Sequence, residues 1–190
     1  MRRAGAAILA FAVPALVLAG CYGEADAELP PPYEITREAS GYYCRMIVAD
    51  HPGPKAQIHL KGRDAPLWFP SVRDAFTFAM LPGEAKNIRA IYVNDMGRAK
   101  NWRSPEAGTW INVRDAYYVL GSSRMDGMGQ REVIPFGTAE AAAAFAAEFG
   151  GRVAGYADVP ADYVLGDDGS SATSRGSGEG PGAGRQDGAI

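Results

Sequence analysis

The chain has 190 residues, a formal net charge of −3, two cysteines and two histidines. Its mildly acidic balance gives no support for nucleic-acid binding, which needs a basic face. Its length suits one ordinary domain or two very small ones. Two histidines are too few for a poly-histidine zinc site.

The N-terminus has the features of a bacterial export signal. Two arginines precede an apolar run, residues 4–18, which is shorter than the ~20 residues that a transmembrane helix needs. The run ends in Leu-Ala-Gly-Cys, which resembles the lipoprotein cleavage motif and implies acylation of Cys21. We therefore expect residues 1–20 to be a lipoprotein signal peptide and the protein to be lipid-anchored at the periplasmic face of a membrane. Tyr22 is not the aspartate that commonly retains lipoproteins at the inner membrane, so the outer membrane stays open as the destination.

Composition divides the rest of the chain into three parts. Residues 21–32 are acidic and end in three prolines, which predicts a tether between the lipid and the domain. Residues 166–190 are rich in glycine and polar residues and lack aromatics, which predicts a disordered tail. Residues 33–165 remain as the folded domain.

The sequence predicts that the domain consists of two copies of one β-β-α-β unit, at about residues 33–95 and 105–165. Helices are predicted at residues 71–81 and 138–149, and strands at residues 43–49, 57–69, 88–94, 110–121, 133–136 and 152–159. Phe-Pro-Ser71 before the first helix corresponds to Phe-Gly-Thr138 before the second, and Ser71 and Thr138 are both suitable N-caps. The predicted fold is therefore α+β, with tandem duplicated units packed on each other because each is too small to bury its own core.

The stretch Tyr-Tyr-Cys44-Arg-Met46 is the most informative for chemistry. With Cys21 acylated, Cys44 is the only free thiol. In the predicted strand, positions i and i+2 face the same side, so Cys44 and Met46 would project together. A thiolate and a thioether are soft ligands that select Cu(I). Both residue types are also common in cores, and on spacing alone packing is their more frequent fate.

Three further side chains could complete a copper site. Met96 follows a predicted strand among polar neighbours, which suggests an exposed turn. Met128 lies between two glycines in a predicted loop, and His51 could supply an imidazole nitrogen. Met80, among apolar helix residues, is predicted to be core, and His59 to be structural or solvated.

Several stretches together resemble the NosL family of nitrous oxide reductase accessory lipoproteins. They are Gly41–Ile58 with its Cys-Arg-Met and Gly-Pro-Lys-Ala-Gln-Ile segments, Ile91–Gly97, Trp110–Ile111, Arg114–Ala116, Gly127–Gly129 and Val133–Phe136. The resemblance covers essentially the whole mature domain. It implies a membrane-tethered periplasmic chaperone that binds one Cu(I) and delivers it for assembly of the copper–sulfide centre of nitrous oxide reductase. It also implies Cys44 and Met46 as ligands, and as partners an ABC-transporter complex with its periplasmic subunit, or the reductase itself.

Two other functions remain to be weighed. The lipoprotein could be a metal-free docking subunit of such a transporter complex, with Cys44 buried. The duplicated β-β-α-β order also resembles organomercurial lyase, but that chemistry needs two reactive cysteines and this chain would keep one. Because no Ser/His/Asp grouping, phosphate-binding glycine loop or paired-carboxylate signature is present, we predict no enzymatic turnover.

Overall fold

The structure, a computed structural model, describes residues 28–166. The predicted signal peptide, the predicted acylation site Cys21, the first part of the tether and the tail from residue 167 onward lie outside the described residues. Within residues 28–166 no helix has the length and apolar character needed to span a bilayer.

Ten helices and strands, with three single 3₁₀ turns, make up the described domain. In chain order the elements are β1 (Ala56–Leu60), β2 (Leu67–Phe69), α1 (Val72–Met80), β3 (Ile88–Asn94), β4 (Trp110–Asn112), β5 (Tyr117–Met125), β6 (Arg131–Phe136), α2 (Ala139–Phe149), β7 (Arg152–Gly155) and α3 (Ala161–Leu165). The 3₁₀ turns are Val48–Asp50, Val113–Asp115 and Tyr156–Asp158.

Two antiparallel sheets repeat the same topology. The first has the order β2-β1-β3-β4 and the second β6-β5-β7, so in each the first strand of the unit lies between the second and the last. Strand β4 is an addition at the edge, where Asn112 pairs with Tyr92 of β3. The α+β class with two β-β-α-β units is therefore confirmed.

The two helix starts follow the matched turn signals. The side chain of Ser71 accepts a hydrogen bond from the backbone N–H of Asp74, and that of Thr138 accepts one from Ala141. Each cap satisfies one of the backbone donors that a helix N-terminus leaves free. Helix α2 ends at Gly150, whose φ of 75° lies in the left-handed region that glycine tolerates.

The predicted strand at residues 43–49 is wrong. This segment forms a tight turn followed by a 3₁₀ turn, and it joins the first sheet only through isolated bridges, Ser40 with Ile47 and Gly41 with Trp68. Side chains of adjacent strand residues point to opposite faces. Tyr42 and Tyr43 instead both pack against Phe69, which a strand would not allow.

The main core lies between the two sheets and belongs to both units. Helix α1 contributes Val72 and Phe76, the first sheet Ile58 and Val93, and the second sheet Tyr118, all almost fully buried. A second cluster between the outer face of the second sheet and α2 is built on Val119, Ile134, Phe136 and Ala142. Because the first core is shared, the two units pack on each other as the sequence predicted.

An N-terminal strap, residues 28–35, covers the outer face of the first sheet. The backbone N–H of Tyr33 donates to Gln57 Oε1 at 2.8 Å, and Gln57 Nε2 donates to the carbonyl of Tyr33 at 2.9 Å. The hydroxyl of Tyr92 donates to the carbonyl of Pro30. The last five residues of the predicted tether, residues 28–32, are therefore part of the folded domain rather than a free spacer.

Candidate metal centre

A cysteine loop, residues 41–47, carries the sulfur pair. The N–H of Gly41 donates to the carbonyl of Met46 at 2.8 Å, and the N–H of Arg45 donates to the carbonyl of Gly41 at 2.9 Å. Arg45 has a φ of 61°, in the left-handed region that bulky side chains rarely adopt. The loop thus turns sharply between the two sulfur residues.

Gly41 provides the space that the thiol of Cys44 fills. A β-carbon placed on Gly41 would lie 2.6 Å from Cys44 Sγ and 3.1 Å from Pro70 Cδ. Pro70 follows β2, so Gly41 lies against the end of that strand and the thiol lies near it. A side chain at position 41 would therefore require the Cys44 sulfur or Pro70 to move.

Two tyrosines in the loop are held by one carboxylate. The hydroxyls of Tyr42 and Tyr43 donate to Glu84 at 3.3 Å and 2.9 Å. Burial, followed by the hydrogen bond and charge of Glu84, raises the pKa of Tyr43 above its ordinary value. Through these hydrogen bonds, Glu84 and the two phenols position the residues that precede Cys44.

Both sulfur side chains can be reached from solvent. Cys44 is half-buried and is a free thiol, and Met46 is 48% exposed. An exposed methionine contributes little packing energy, so core packing does not account for Met46. The strand argument for a common direction fails, but the structure places both residues in one short loop at the surface.

The structure brings His51 and the loop that carries Met128 together. A β-carbon on Gly127 would lie 3.1 Å from His51 Nδ1, so the β5–β6 turn lies directly against the imidazole. Asp126 holds that turn, because its side chain accepts hydrogen bonds from the N–H groups of Met128 and Gln130, both at 2.8 Å. His51 is 9% exposed and Met128 is 39% exposed.

Met96 is not the exposed turn residue that the sequence suggested. It is half-buried and packs against the cluster that contains Phe136, while its N–H donates to the carbonyl of Pro135 at 2.9 Å. The preceding Asp95 is buried and accepts hydrogen bonds from Gly97 and Gly137. Met96 follows the C-terminal end of β3. This is the same end of the first sheet as the C-terminal end of β2, near which Cys44 lies.

His59 and Met80 take the structural roles predicted for them. His59 is buried, and its Nε2 lies 2.9 Å from the side-chain oxygen of Gln57 beneath the strap. Burial, followed by the charge of Arg89, lowers the pKa of His59. Met80 packs against the main core.

Sequence reasoning missed two buried ionisable groups near this end of the sheet. Lys55 donates to the carbonyl of Gly53, and burial lowers its pKa to about 8 against the opposing charge of Glu132. Burial likewise raises the pKa of Glu132 to about 8, opposed by hydrogen bonds from the backbone N–H groups of Arg73 and Val133. The sequence signal that could have revealed these buried groups was Glu132, a single carboxylate within an apolar strand.

The donor chemistry of the described residues fits a soft metal ion. In residues 28–166 no group of three or more His, Cys, Asp and Glu side chains is arranged to hold a metal ion. A closed zinc site or a carboxylate-based calcium site would need such a group. A thiol and an adjacent thioether remain, the ligand types that Cu(I) prefers. The fold and loop define a small duplicated α+β domain with a sulfur-bearing surface loop.

Comparison with known proteins places this domain in a family. Residues 32–164 match the NosL family model. The copper-binding lipoprotein NosL of Achromobacter cycloclastes is 45% identical over 80% of this chain and 79% of its own, and that of Stutzerimonas stutzeri is 30% identical over 84% and 82%. The crystal structure of the copper chaperone NosL from Shewanella denitrificans superposes with a TM-score of 0.65 at 29% identity, covering 70% of this chain and 98% of that one. The chain belongs to the NosL family.

Proposed function

We propose that the protein is a lipid-anchored Cu(I) chaperone of the periplasm that carries one copper ion for assembly of the copper–sulfide centre of nitrous oxide reductase. The observation that carries this proposal is the cysteine loop, with a free thiol packed over Gly41 and an exposed thioether two residues on. The relatives' names, copper-binding lipoprotein and copper chaperone, support the same cargo.

The loop supplies the two properties that a metal carrier needs. The thiolate of Cys44 gives affinity for Cu(I), and the thioether of Met46 adds a soft donor without adding charge. Met96, His51 or Met128 would supply a third donor. Because Met46 is exposed and Cys44 is half-buried at the surface, one side of the ion would stay open to an incoming ligand.

Transfer would proceed by ligand exchange. A donor atom of the acceptor binds the open side of the ion, and the bonds to Met46 and then to Cys44 break as further acceptor bonds form. Copper stays Cu(I) throughout, so no electron donor or acceptor is required.

The remaining parts of the proposal follow from family membership. Acylation of Cys21 would anchor the protein, and the copper–lipoprotein names of its relatives support that anchoring. The expected partners are an ABC-transporter complex with its periplasmic subunit, or the reductase itself. We propose carriage without turnover, since the relatives are named for binding and chaperoning rather than for a reaction.

The direct test is Cu(I) affinity measured by competition with a chelator of known affinity. Cys44→Ser should lose high-affinity binding and keep the wild-type melting temperature, because the thiol is only half-buried. Met46→Ala should weaken binding by about tenfold or more, the cost of one soft donor worth about 1.4 kcal/mol. Met125→Ala, at a methionine 45% exposed in the other unit, is the matched control and should bind normally. Wild-type affinity in Cys44→Ser would refute the assigned site.

Thiol accessibility separates the chaperone from a metal-free docking subunit. In the non-acylated mature chain carrying Cys21→Ser, Cys44 should react with a thiol reagent in the metal-free form and become protected by one equivalent of Cu(I). A Cys44 that stays unreactive in both states would favour the docking subunit.

A further inference from the structure

One end of the first sheet carries a basic cavity. Its volume is about 380 Å³, and Lys86, Arg89 and Arg114 line it together with Leu29 and Tyr156. No carboxylate lines this cavity in the described part of the chain. The cavity therefore concentrates three positive charges on a chain whose formal net charge is −3.

The contacts of these cations within residues 28–166 are with neutral groups. Lys86 Nζ donates to the carbonyls of Ala79 and Leu81, and Arg89 donates to the carbonyl of Glu28. The guanidinium of Arg114 lies 5.5 Å from the ring centre of Tyr156. Carbonyl and aromatic contacts hold the side chains in place but leave their charge available to an anion.

The strap brings the anchor to this same end. Its residue Glu28 accepts a hydrogen bond from Arg89 at the start of β3. Its residue Glu34 accepts one from Trp110, which pairs with Asn94 at the end of β3. It therefore runs along the strand, and its N-terminal residue Glu28 lies beside the basic cavity. Cys21 is seven positions before Glu28, so the acylated residue is at most about 25 Å from the cavity.

The cysteine loop lies at the opposite end of the same sheet. Cys44 lies near Pro70, after the end of β2, whereas Arg89 lies at the start of β3, which has the same direction as β2. Arg89 and Asn94 are five positions apart in β3, which places them about 17 Å from each other along the strand. An anchor at the basic end would keep the sulfur loop well clear of the lipid.

We propose that the basic cavity, with the exposed side chain of Leu29 at its rim, is a docking surface for the anionic phospholipid headgroups of the membrane that holds the anchor. Phosphate groups would occupy the cavity between Lys86, Arg89 and Arg114, and Leu29, which is 50% exposed, would enter the interface between headgroups and acyl chains. The domain would then be oriented with the basic cavity toward the membrane and the cysteine loop away from it. The inference rests on the acylation of Cys21 given under the proposed function.

Vesicle binding of the mature chain from residue 21, with Cys21→Ser to omit the acyl group, tests the surface itself. The probes are vesicles of phosphatidylcholine with and without phosphatidylglycerol. We expect binding to the anionic vesicles that falls with added salt. The triple variant Lys86→Gln, Arg89→Gln, Arg114→Gln should bind at least about tenfold more weakly, because each cation near an anionic surface contributes appreciably.

A matched triple variant at the opposite end gives the control. Arg98→Gln, Lys100→Gln and Arg103→Gln make the same change in net charge in the exposed segment after β3 and should leave vesicle binding unchanged. Equal losses in the two triple variants would overturn the proposal, as would no binding by the wild type. If the cavity variant unfolds, as judged by circular dichroism, Lys86→Gln alone should still weaken binding.

Two further measurements complete the test. Inorganic phosphate should not compete with vesicles at millimolar concentration, and strong competition would assign the cavity to a soluble anion instead. In the acylated protein, a fluorophore on Cys44 should transfer little energy to headgroup-labelled lipid, and more in the cavity variant. Cu(I) affinity should be the same in all these variants, so a failed copper assay and a failed docking assay can be told apart.

Discussion

The sulfur of Cys44 occupies the space where Gly41 lacks a side chain. Because the two residues lie at opposite ends of a single tight turn, joined by a backbone hydrogen bond from Arg45 to Gly41, the position of the thiol is fixed by the residue that starts the loop. Adding one methyl group at position 41 therefore tests whether this packing fixes the position of the Cys44 thiol.

Gly41→Ala should weaken Cu(I) binding by about tenfold, because the added carbon forces the Cys44 sulfur from its position or pushes against Pro70. The measurement is chelator competition together with a thermal melt. Gly83→Ala is the control, since a β-carbon there would meet no atom within 4 Å, and it should bind like the wild type. Normal affinity in Gly41→Ala would show that the thiol position is not critical.

Met96→Leu should lower Cu(I) affinity several-fold while leaving stability within about 1.5 kcal/mol of the wild type. Leucine conserves most of the packing volume against the Phe136 cluster and removes only the sulfur. X-ray absorption on the copper-loaded protein should show one fewer sulfur neighbour. Met80→Leu, at a methionine that packs on the main core, should change neither quantity. An unchanged sulfur count in Met96→Leu would leave Met128 and His51 as the candidates for the third donor.

Unfolding free energy should fall as pH rises from 6 to 8. The folded-state pKa of Glu132 is raised from 4.5 to about 8, so in this range the unfolded chain has released a proton that the folded chain still holds. The slope from this group is at most about 1.4 kcal/mol per pH unit. The pKa of Asp74, raised to about 6 chiefly by burial, acts with the same sign mainly below this range.

Urea unfolding at several pH values checks this dependence, with Glu132→Gln expected to flatten it between pH 6 and 8. Lys55 acts with the opposite sign above this range, because its pKa is lowered from 10.5 to about 8 and stability recovers as the unfolded chain loses that proton. A wild-type slope retained by Glu132→Gln would assign the dependence to another group.

Gln57→Ala should destabilise the domain by about 2–3 kcal/mol, because it leaves the N–H and carbonyl of Tyr33 and the ring nitrogen of His59 without their buried partner. Hydrogen exchange should increase first in the strap. Asn87→Ala is a suitable control, since its amide makes a single exposed hydrogen bond to the carbonyl of Lys61. A strap that stays protected in Gln57→Ala would mean that Tyr92 and the prolines hold it.

The elements that could be predicted from the sequence are those with local causes. The two helices begin at Ser71 and Thr138 because short hydroxyl side chains cap free N–H groups, and α2 ends at Gly150 because glycine accepts a positive φ. The β-β-α-β succession of elements along each unit followed from matching these signals between the two units. Cys44 and Met46 were found in the same surface loop, although the loop itself was predicted to be a strand.

The features that were missed depend on contacts distant in sequence. Residues 43–49 have strand-forming side chains. However, Tyr42 and Tyr43 both donate hydrogen bonds to Glu84, some forty positions away, and this places their side chains on one side of a turn. The proline-rich segment reads as a spacer because its partners, Gln57 and Tyr92, lie on strands that only the fold brings together. Met96 looked exposed because the packing of Phe136 against it comes from the other unit.

Glu132 belongs to β6, yet its carboxylate accepts hydrogen bonds from the N–H groups of Val72 and Arg73, the first residues of α1. The second copy of the unit thus completes the first turn of a helix in the first copy. A chain that stopped after the first copy would expose those donors and half of the common apolar interior. The two copies therefore constitute one cooperative folding unit rather than two linked ones.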